Sequence, residues 1–242
     1  MRLDKALVMR GLCRSRAEAQ AALDSGAVTL DGLTVGKASL TVGEEATLTV
    51  TDTGARWVSR GALKLDAALA HFGIPVAGRT ALDVGASTGG FTECLLRRRA
   101  VSVHAVDVGH GQMVPALASD PRVHSREGVN ARLLTPADFP HPFGILVADL
   151  SFISLTLVLP ALAPLLGVGG DMVCLVKPQF EVGPARLGKG GIVRDARARE
   201  EALARVVGAA QACGLVERGR ITSPIVGGEG NIEFLLWLTP WG

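Results

Sequence analysis

Cysteine is scarce in this sequence and never stands where metal chemistry needs it. Four cysteines occur, with no C-x-x-C pair and no neighbouring histidine: Cys13, Cys94, Cys174 and Cys213. Zinc sites and disulfide frameworks depend on such spacings, so we expect no disulfide and no bound metal. Unpaired cysteines of this kind fit the reducing cytoplasm.

A secretory leader is also missing. The first residues are charged and form no apolar segment, so we expect no signal peptide. One uncharged run, residues 150–170, is long enough to span a bilayer. Proline, glycine and hydroxyl residues interrupt this run, and Asp149 and Asp171 flank it. We therefore expect a strand end, a buried helix and a turn there rather than a membrane span.

Net charge is small, but the charges are unevenly placed. The 242 residues carry a net charge of +2, which alone is too little to indicate a nucleic-acid partner. The start of the chain, however, sets a group of cations against one acid, Asp4: Arg2, Lys5, Arg10, Arg14 and Arg16. Phosphates need clustered cations on one rigid face, which favours RNA binding over a cap of solvated arginines.

Residues 1–52 form one small α+β unit. Apolar residues at helical spacing predict a first short helix, and Ser15 followed by Glu18 is a capping box that predicts the start of a second. Asp31-Gly32 then separates two short alternating runs, a strong signal for a two-residue hairpin. The order of elements predicts two helices and a small sheet.

The rest of the chain has an α/β pattern. Residues 53–60 are expected to be a linker, in which Trp57 fixes the angle between the domains. Over residues 61–242 helices and strands alternate, which predicts a Rossmann-like, doubly wound parallel sheet. Ligands of such sheets bind beyond the carboxyl ends of the strands. The distinctive polar residues fall at those predicted ends: Asp83, Asp107, Asp149 and Lys177.

The stretch DVGASTGG, residues 83–90, raises the question of its ligand. Small residues let a bulky group approach the backbone, but the acid precedes the first glycine, unlike the dinucleotide pattern G-x-G-x-x-G. Asp107 suits a ribose diol, which occurs in both dinucleotide and methyl-donor sites. Asp149 favours a methyl donor, because hydride transfer has no general need for a carboxylate there.

Several motifs together resemble one family: SRGALKL, ALDVGASTGGFTECLL, AVDVGHGQM, VADLSFIS, LVKPQFE, KGGIVRD and GNIEFL. Residues 61–242 resemble the FtsJ class of S-adenosylmethionine methyltransferases, and residues 1–52 resemble the S-four RNA-binding domain. The whole chain is similar to the TlyA family of ribosomal RNA 2′-O-methyltransferases, whose members are often named hemolysins. The resemblance implies S-adenosylmethionine as cofactor and cytidine in ribosomal RNA or ribosomal subunits as substrate. The short ends resemble the shorter family members, which implies the large subunit.

The resemblance also implies the site residues. The catalytic set of the FtsJ class falls on Lys64, Asp149, Lys177 and Glu233. Donor binding falls on the glycine stretch, the ribose acid and an adenine contact: Asp83, Gly85, Ser87, Gly89, Gly90, Asp107 and Asn130. Independently of the resemblance, the glycine-rich loop 188–195 with Lys189 and Arg194 is expected to be a lid or an RNA clamp rather than a solvated loop, in addition to the cations at the start of the chain.

The residues themselves bear on the catalytic set unequally. For Lys64 and Glu233, a solvated surface charge fits the sequence as well as a catalytic role does. Asp149 and Lys177 end runs that should be buried strands, where an unpaired charge is costly, so pairing or function is expected. A lysine accepts a proton only when neutral, and its reference pKa is about 10.4. We assign Lys177 as base or proton relay, Asp149 and Lys64 as positioning groups, and Glu233 as a group that orients a lysine or the ribose.

Two rival functions stay open. A membrane-acting hemolysin would require residues 150–170 to be exposed and the strand-end carboxylates to be incidental. An RNA-binding protein with a vestigial donor pocket would bind the donor without transferring a methyl group.

Overall fold

The computed structural model describes residues 1–13, 15–50, 57–227 and 230–241. Helices in this part of the chain are α1 Leu3–Met9, α2 Arg16–Asp24, α3 Gly61–Phe72, α4 Gly90–Arg97, α5 Pro115–Ala118, α6 Leu159–Leu162, α7 Pro178–Glu181 and α8 Ala196–Ala212. Strands are β1 Val28–Leu30, β2 Leu33–Thr34, β3 Leu48–Val50, β4 Thr80–Val84, β5 Ser102–Val106, β6 Val123–Arg126, β7 Phe143–Ala148, β8 Leu166–Val176, β9 Leu215–Thr222 and β10 Phe234–Pro240.

The first unit has the expected helices and hairpin. The Ser15 hydroxyl accepts a hydrogen bond from the Glu18 amide at 3.1 Å, which caps α2. β1 and β2 pair antiparallel around Asp31 and Gly32, whose φ angles of 50° and 81° belong to the left-handed turn that such hairpins need. The three strands form a sheet in the order β2-β1-β3 and share a core with the two helices.

The second unit is built on a seven-stranded sheet in the order β6-β5-β4-β7-β8-β10-β9. Neighbouring strands from β6 to β8 are parallel, as the alternating pattern predicts. One buried apolar cluster lies around β4, β7 and α8, and another joins the sheet to α3 and α4. The sheet is therefore covered by helices on both faces.

The expectation of a parallel sheet is wrong for β10. This strand pairs antiparallel with β8 on one side and with β9 on the other. The described residues between β9 and β10 contain no helix, and a crossover of a dozen residues or more is what returns a strand in the parallel direction. β9 itself is a strand that the sequence pattern did not indicate.

The uncharged run 150–170 lies inside the second unit. Its expected buried helix is reduced to the single turn of α6, with 3₁₀ turns at Leu155–Leu157 and Ala163–Leu165 on either side. Prolines at 160 and 164 fall in the first positions of these short elements, and β8 already begins at Leu166. In the described ranges no helix has the length and apolar character needed to cross a bilayer.

The two units touch through glycines. A Cβ atom built at Gly26 would lie 2.2 Å from Cδ1 of Leu63, and one at Gly36 would lie 2.0 Å from Nη1 of Arg60. Leu63 lies in the first turn of α3, and Arg60 precedes that turn. Because glycine has no side chain, Gly26 and Gly36 of the first unit leave room for the start of α3. Trp57 lies on the second unit, where the Arg97 guanidinium is 4.2 Å from its ring centre; its effect on the domain angle stays a prediction.

Candidate active site

The glycine stretch brings the ends of β4 and β7 together. Gly85 follows β4 with φ 86°, and a Cβ atom there would lie 2.3 Å from the backbone oxygen of Asp149, which follows β7. The Asp149 amide also donates to the Val84 carbonyl at 3.0 Å. Glycine is needed here both for its backbone angle and for this close approach. The contact of Gly85 with a donor stays a prediction, and the same glycine also lets two strand ends meet.

A cavity of about 570 Å³ opens beyond the ends of β4, β5 and β7. We call it the strand-end cavity; apolar side chains form much of its wall, and its polar lining includes Ser87, Asp107, Gln112, Asn130, Asp149 and Ser151. Asp107 accepts hydrogen bonds from the amides of Ser87 and Gly109 at 2.8 and 2.7 Å, which fixes the carboxylate on the cavity wall. The Asn130 side-chain oxygen accepts from the Arg132 amide at 3.1 Å.

A second cavity, of about 430 Å³, lies between the two units. This interdomain cavity is lined by Asp24 of the first unit and by Arg60 and Lys64 of the second. Three residues line both cavities: Gly85, Ser87 and Asp149. The two spaces therefore meet at the end of β7, beside Asp149.

The four predicted catalytic residues form two ion pairs. Lys64 Nζ lies 2.5 Å from Glu233 Oε2, with both side chains largely buried. Lys177 Nζ lies 2.6 Å from Asp149 Oδ1 and donates a hydrogen bond to Ser151 Oγ at 2.8 Å. The contact with Asp149 is an ion pair between the Lys177 ammonium and the carboxylate. Burial of each charge is thus compensated by an opposite one.

Glu233 reaches this edge because β10 runs antiparallel. Phe234, the first residue of β10, is paired with Val176, the last residue of β8. Glu233 and Lys177 are the next residues along, so both stand at the carboxyl edge of the parallel strands. A parallel β10 would have placed Glu233 at the opposite edge, far from Lys64.

Asp83 differs from the expectation of a residue that faces the ligand. It is fully buried within β4 and lines neither cavity. One oxygen accepts a hydrogen bond from the Thr92 hydroxyl of α4 at 2.7 Å, and the other has no partner. Burial raises the pKa of Asp83 to about 7. This geometry fits a residue that orients the glycine stretch through α4 better than one that contacts the methionine ammonium of the donor.

The remaining glycines of the stretch seat neighbouring side chains. A Cβ atom at Gly89 would lie 2.4 Å from Cδ1 of Leu117, and one at Gly90 would lie 2.1 Å from the hydroxyl oxygen of Ser59. Gly89 also has φ 100°. These glycines let the start of α4 pack against α5 and against the segment before α3. Phe91, which follows them, is buried in the core, as predicted.

The cations at the start of the chain are of two kinds. Arg2 and Arg16 both hydrogen-bond to Asp4, at 3.1 and 2.6 Å, and these bonds hold the pKa of Asp4 well below its usual range. Arg10 instead donates to backbone carbonyls of residues 43, 44 and 46. Lys5 is exposed, and Arg14 lies outside the described residues.

The glycine-rich loop that carries Lys189 and Arg194 is attached to the segment before β10. Asn231, which is buried, accepts from the Val193 amide at 2.9 Å and donates to the Gly191 carbonyl at 3.0 Å. Lys189 and Arg194 themselves are exposed. Asn231 was not predicted, although it stands two positions before Glu233 in the same motif.

Glu181 is a second buried group that the sequence did not reveal. It accepts hydrogen bonds from the Ser154 hydroxyl at 2.5 Å and from the Leu155 amide at 2.8 Å. It thereby connects α7 to the segment that follows Asp149. Its position in the LVKPQFE motif, four residues after Lys177, was the available signal.

Comparisons with known proteins agree with this architecture. Residues 57–239 match the model of FtsJ-like methyltransferases, and residues 1–48 match the S4 domain. A 16S/23S rRNA (cytidine-2′-O)-methyltransferase TlyA of Mycobacterium tuberculosis is 50% identical over 98% of this chain and 89% of its own length. This chain belongs to the TlyA family of FtsJ-like methyltransferases. The paired lysines and carboxylates at the strand ends are the candidate catalytic residues of this methyltransferase.

Relatives named as hemolysins share the same architecture. Hemolysin A of Brachyspira hyodysenteriae is 39% identical over 97% of this chain and 98% of its own length. A solved structure from Streptococcus thermophilus, described as a hemolysin, is 42% identical and superposes with a TM-score of 0.77, covering 99% of this chain and 88% of that one. The TlyA family therefore includes proteins that carry either name.

Membership of a methyltransferase family implies the use of S-adenosylmethionine, and the residues present fit that group. The strand-end cavity combines apolar walls, suited to adenine, with Asp107 and Asn130 as hydrogen-bonding groups. Gly85, with its close approach to Asp149, lines the same cavity. The described part of the chain holds no cluster of His, Cys, Asp or Glu suited to a metal ion.

The raised pKa of Asp83 predicts a pH-dependent stability. The folded-state pKa of about 7 lies above that of an exposed aspartate, so folding favours the protonated form. Stability from this group is full below about pH 4 and is lost as the pH rises through about 7. Asp83→Asn should therefore gain thermal stability relative to the native chain as the pH rises from about 5 to 7, and the difference should level off above about pH 8.

Melting temperatures measured across this range test the prediction. Asp120→Asn is the control, because Asp120 is bonded to Arg122 and its pKa is lowered to about 2. Its difference from the native chain should stay constant with pH. A constant difference for Asp83→Asn as well would contradict the burial argument.

Gly85→Ala should abolish donor binding by separating the ends of β4 and β7. Gly111→Ala is the matched control, since Gly111 has a similar φ of 63° with nothing within 4 Å of a Cβ atom. Both variants carry a left-handed strain of about 1–2 kcal/mol, and only the first adds a clash. Calorimetric titration with S-adenosylmethionine compares them. Equal affinity would remove Gly85 from the donor site, and tight binding of NAD without S-adenosylmethionine would remove the donor assignment.

Proposed function

We propose that this protein methylates the ribose 2′-hydroxyl of a cytidine in ribosomal RNA, with S-adenosylmethionine as the donor. The supporting observation is the pair of lysine–carboxylate contacts at the point where the two cavities meet. Asp149 takes part in one pair and lines both cavities. Lys64 takes part in the other and lines the interdomain cavity.

The proposal assigns the strand-end cavity to the donor and the interdomain cavity to the nucleotide. Bound S-adenosylmethionine supplies a methyl group that is already strongly electrophilic. The protein mainly has to align the hydroxyl oxygen with this methyl group and to remove one proton. Asp107 and Asn130 hold the adenosine, and the segment from Gly85 to Gly90 receives the methionine part.

The paired residues take the roles that their contacts allow. Lys177 accepts the proton of the 2′-hydroxyl, held in place by Asp149. Lys64 directs its positive charge toward the same oxygen, and Glu233 orients Lys64. A desolvated site strengthens each of these electrostatic interactions relative to water.

The first unit and the loop around Lys189 and Arg194 deliver the RNA. Cations contact phosphates and fix the orientation of the RNA without reading its sequence. Arg2 and Arg16 are held in place by Asp4 and remain substantially exposed, with side-chain exposures of 54% and 67%. Arg10, occupied by backbone carbonyls, fits a structural role in this unit.

Transfer of labelled methyl groups to isolated small and large ribosomal subunits tests the function. The expected product after digestion is 2′-O-methylcytidine. Methylation of a base, or donor binding without any transfer, would contradict the proposal and favour the vestigial-pocket alternative. Release of dye from lipid vesicles by the purified protein would instead favour the hemolysin alternative, which requires residues 150–170 to leave the core.

Lys177→Ala should abolish methyl transfer and keep donor affinity within about tenfold, roughly 1.4 kcal/mol. The reason is that Lys177 acts on the hydroxyl proton and not on the donor. The native enzyme should also work faster as the pH rises from neutral to alkaline, because only a neutral amine accepts a proton. Lys37→Ala, which changes an exposed lysine of the first unit, is the control for the transfer assay. Near-native turnover of Lys177→Ala would remove Lys177 from the catalytic set.

Arg16→Ala should weaken binding to ribosomal RNA and lower the salt dependence by about one unit of slope or less. Arg10→Ala is the contrasting variant in the same unit, since its guanidinium holds the 43–46 segment. We expect Arg10→Ala to lower thermal stability more than the salt slope. Binding titrations at several salt concentrations give both slopes. An unchanged slope for Arg16→Ala would show that Arg16 makes no phosphate contact.

A further inference from the structure

Lys177 has one directed hydrogen bond among the described residues, and Ser151 accepts it. The distance from Lys177 Nζ to Ser151 Oγ is 2.8 Å. Asp149 Oδ1 lies closer to the same nitrogen, at 2.6 Å, in an ion pair. Asp149 thus compensates the charge of Lys177, and Ser151 sets the direction of one N–H bond.

The position of Ser151 is fixed by contacts on both sides. Before it, the Asp149 amide is bound to the Val84 carbonyl at 3.0 Å. After it, Phe152 has a left-handed φ of 64° and lies 5.3 Å, between ring centres, from Phe180. Glu181 then binds the Ser154 hydroxyl and the Leu155 amide.

These contacts lead back to the segment that bears Lys177. Phe180 and Glu181 belong to α7, which begins directly after Lys177. The turn that carries Ser151 and the segment that carries Lys177 are therefore packed against each other at three places. A left-handed φ is uncommon for a residue as bulky as phenylalanine, so this turn is specified by its surroundings.

We propose that Ser151 is a positioning residue that aims the lone pair of Lys177 at the substrate hydroxyl. This inference rests on the proposed role of Lys177 as proton acceptor. A neutral amine has two N–H bonds and one lone pair in a tetrahedral arrangement. With one N–H bond on Ser151 and a second toward Asp149, the lone pair is left with the remaining tetrahedral direction, and both partners line the strand-end cavity.

The proton balance follows from this arrangement. The 2′-hydroxyl proton moves to Nζ of Lys177 as the oxygen forms its bond to the methyl group and the methyl–sulfur bond breaks. Lys177 becomes an ammonium, which donates a hydrogen bond to Ser151. Its positive charge is compensated by Asp149. The sulfonium charge is lost in the same step, so the site gains no net charge.

Ser151→Ala should lower kcat roughly ten- to hundredfold, because misdirection of a reacting group costs rate at this scale. KM for ribosomal subunits, donor affinity and melting temperature should stay close to those of the native enzyme. Ser151→Thr keeps the hydroxyl and should recover most of kcat. Ser119→Ala is the control, because Ser119 is an exposed serine with one hydrogen bond to the Pro115 carbonyl.

The pH–rate profile separates direction from charge. At a pH where the amine is neutral, charge no longer limits proton transfer in either protein. The alkaline plateau should nevertheless stay well below the native one, since deprotonation does not restore the direction of the lone pair. Asp149 is the charged group that faces Lys177 in the structure, and it is unchanged in this variant.

Two results separate this inference from the function on which it rests. A native plateau in Ser151→Ala, together with an inactive Lys177→Ala, would overturn the role of Ser151 alone. Full activity of Lys177→Ala would overturn the proton-acceptor role itself. Failure of Ser151→Thr to recover kcat would also count against positioning by the hydroxyl. In a Lys177→Ala background, Ser151→Ala should cause no further loss, since the group it positions is gone.

Discussion

Two lysines stand largely out of water at one edge of the sheet, and the structure depends on how their charges are compensated. Burial of a charge is tolerated only with a paired opposite charge, and each lysine receives a carboxylate from a distant part of the chain. Lys64 on α3 pairs with Glu233 before β10, and Lys177 after β8 pairs with Asp149 after β7. These pairs tie α3 to β10 and β8 to β7, so the contacts that support the fold also bring the four charged residues to one edge of the sheet.

The reversed strand β10 is the topological feature that makes this possible. The last residues of parallel strands lie at one edge of the sheet, and the first residue of an antiparallel neighbour lies at that same edge. Glu233 therefore meets the residues that follow β7 and β8 although it precedes its own strand. Gly85 has a related effect at the other side, because the missing side chain lets the ends of β4 and β7 touch.

The contact between the two units also depends on glycines that let neighbouring segments approach closely. Gly26 and Gly36 leave room for Leu63 and Arg60, which stand at the start of α3. Lys64 is the next residue of that helix, so the first unit packs against the turn that positions this lysine. An RNA held by the first unit would accordingly be presented to the cavity that Lys64 lines.

Local patterns in the sequence determined the elements that depend on near neighbours: the capped helix at Ser15, the Asp31-Gly32 hairpin and most helices and strands of the sheet. The motifs identified the family and the four charged residues, because a motif is recognised from residue types and their spacing along the chain alone. The pairing of those residues was decided by tertiary structure, because Lys64 and Glu233 are separated by 169 positions and meet only through the direction of β10. The same holds for Asp83, whose neighbours bury it completely, and for Ser151, whose partner lies 26 residues away. A sequence pattern reports spacing along the chain, whereas burial and hydrogen-bond partners arise from elements that pack across it.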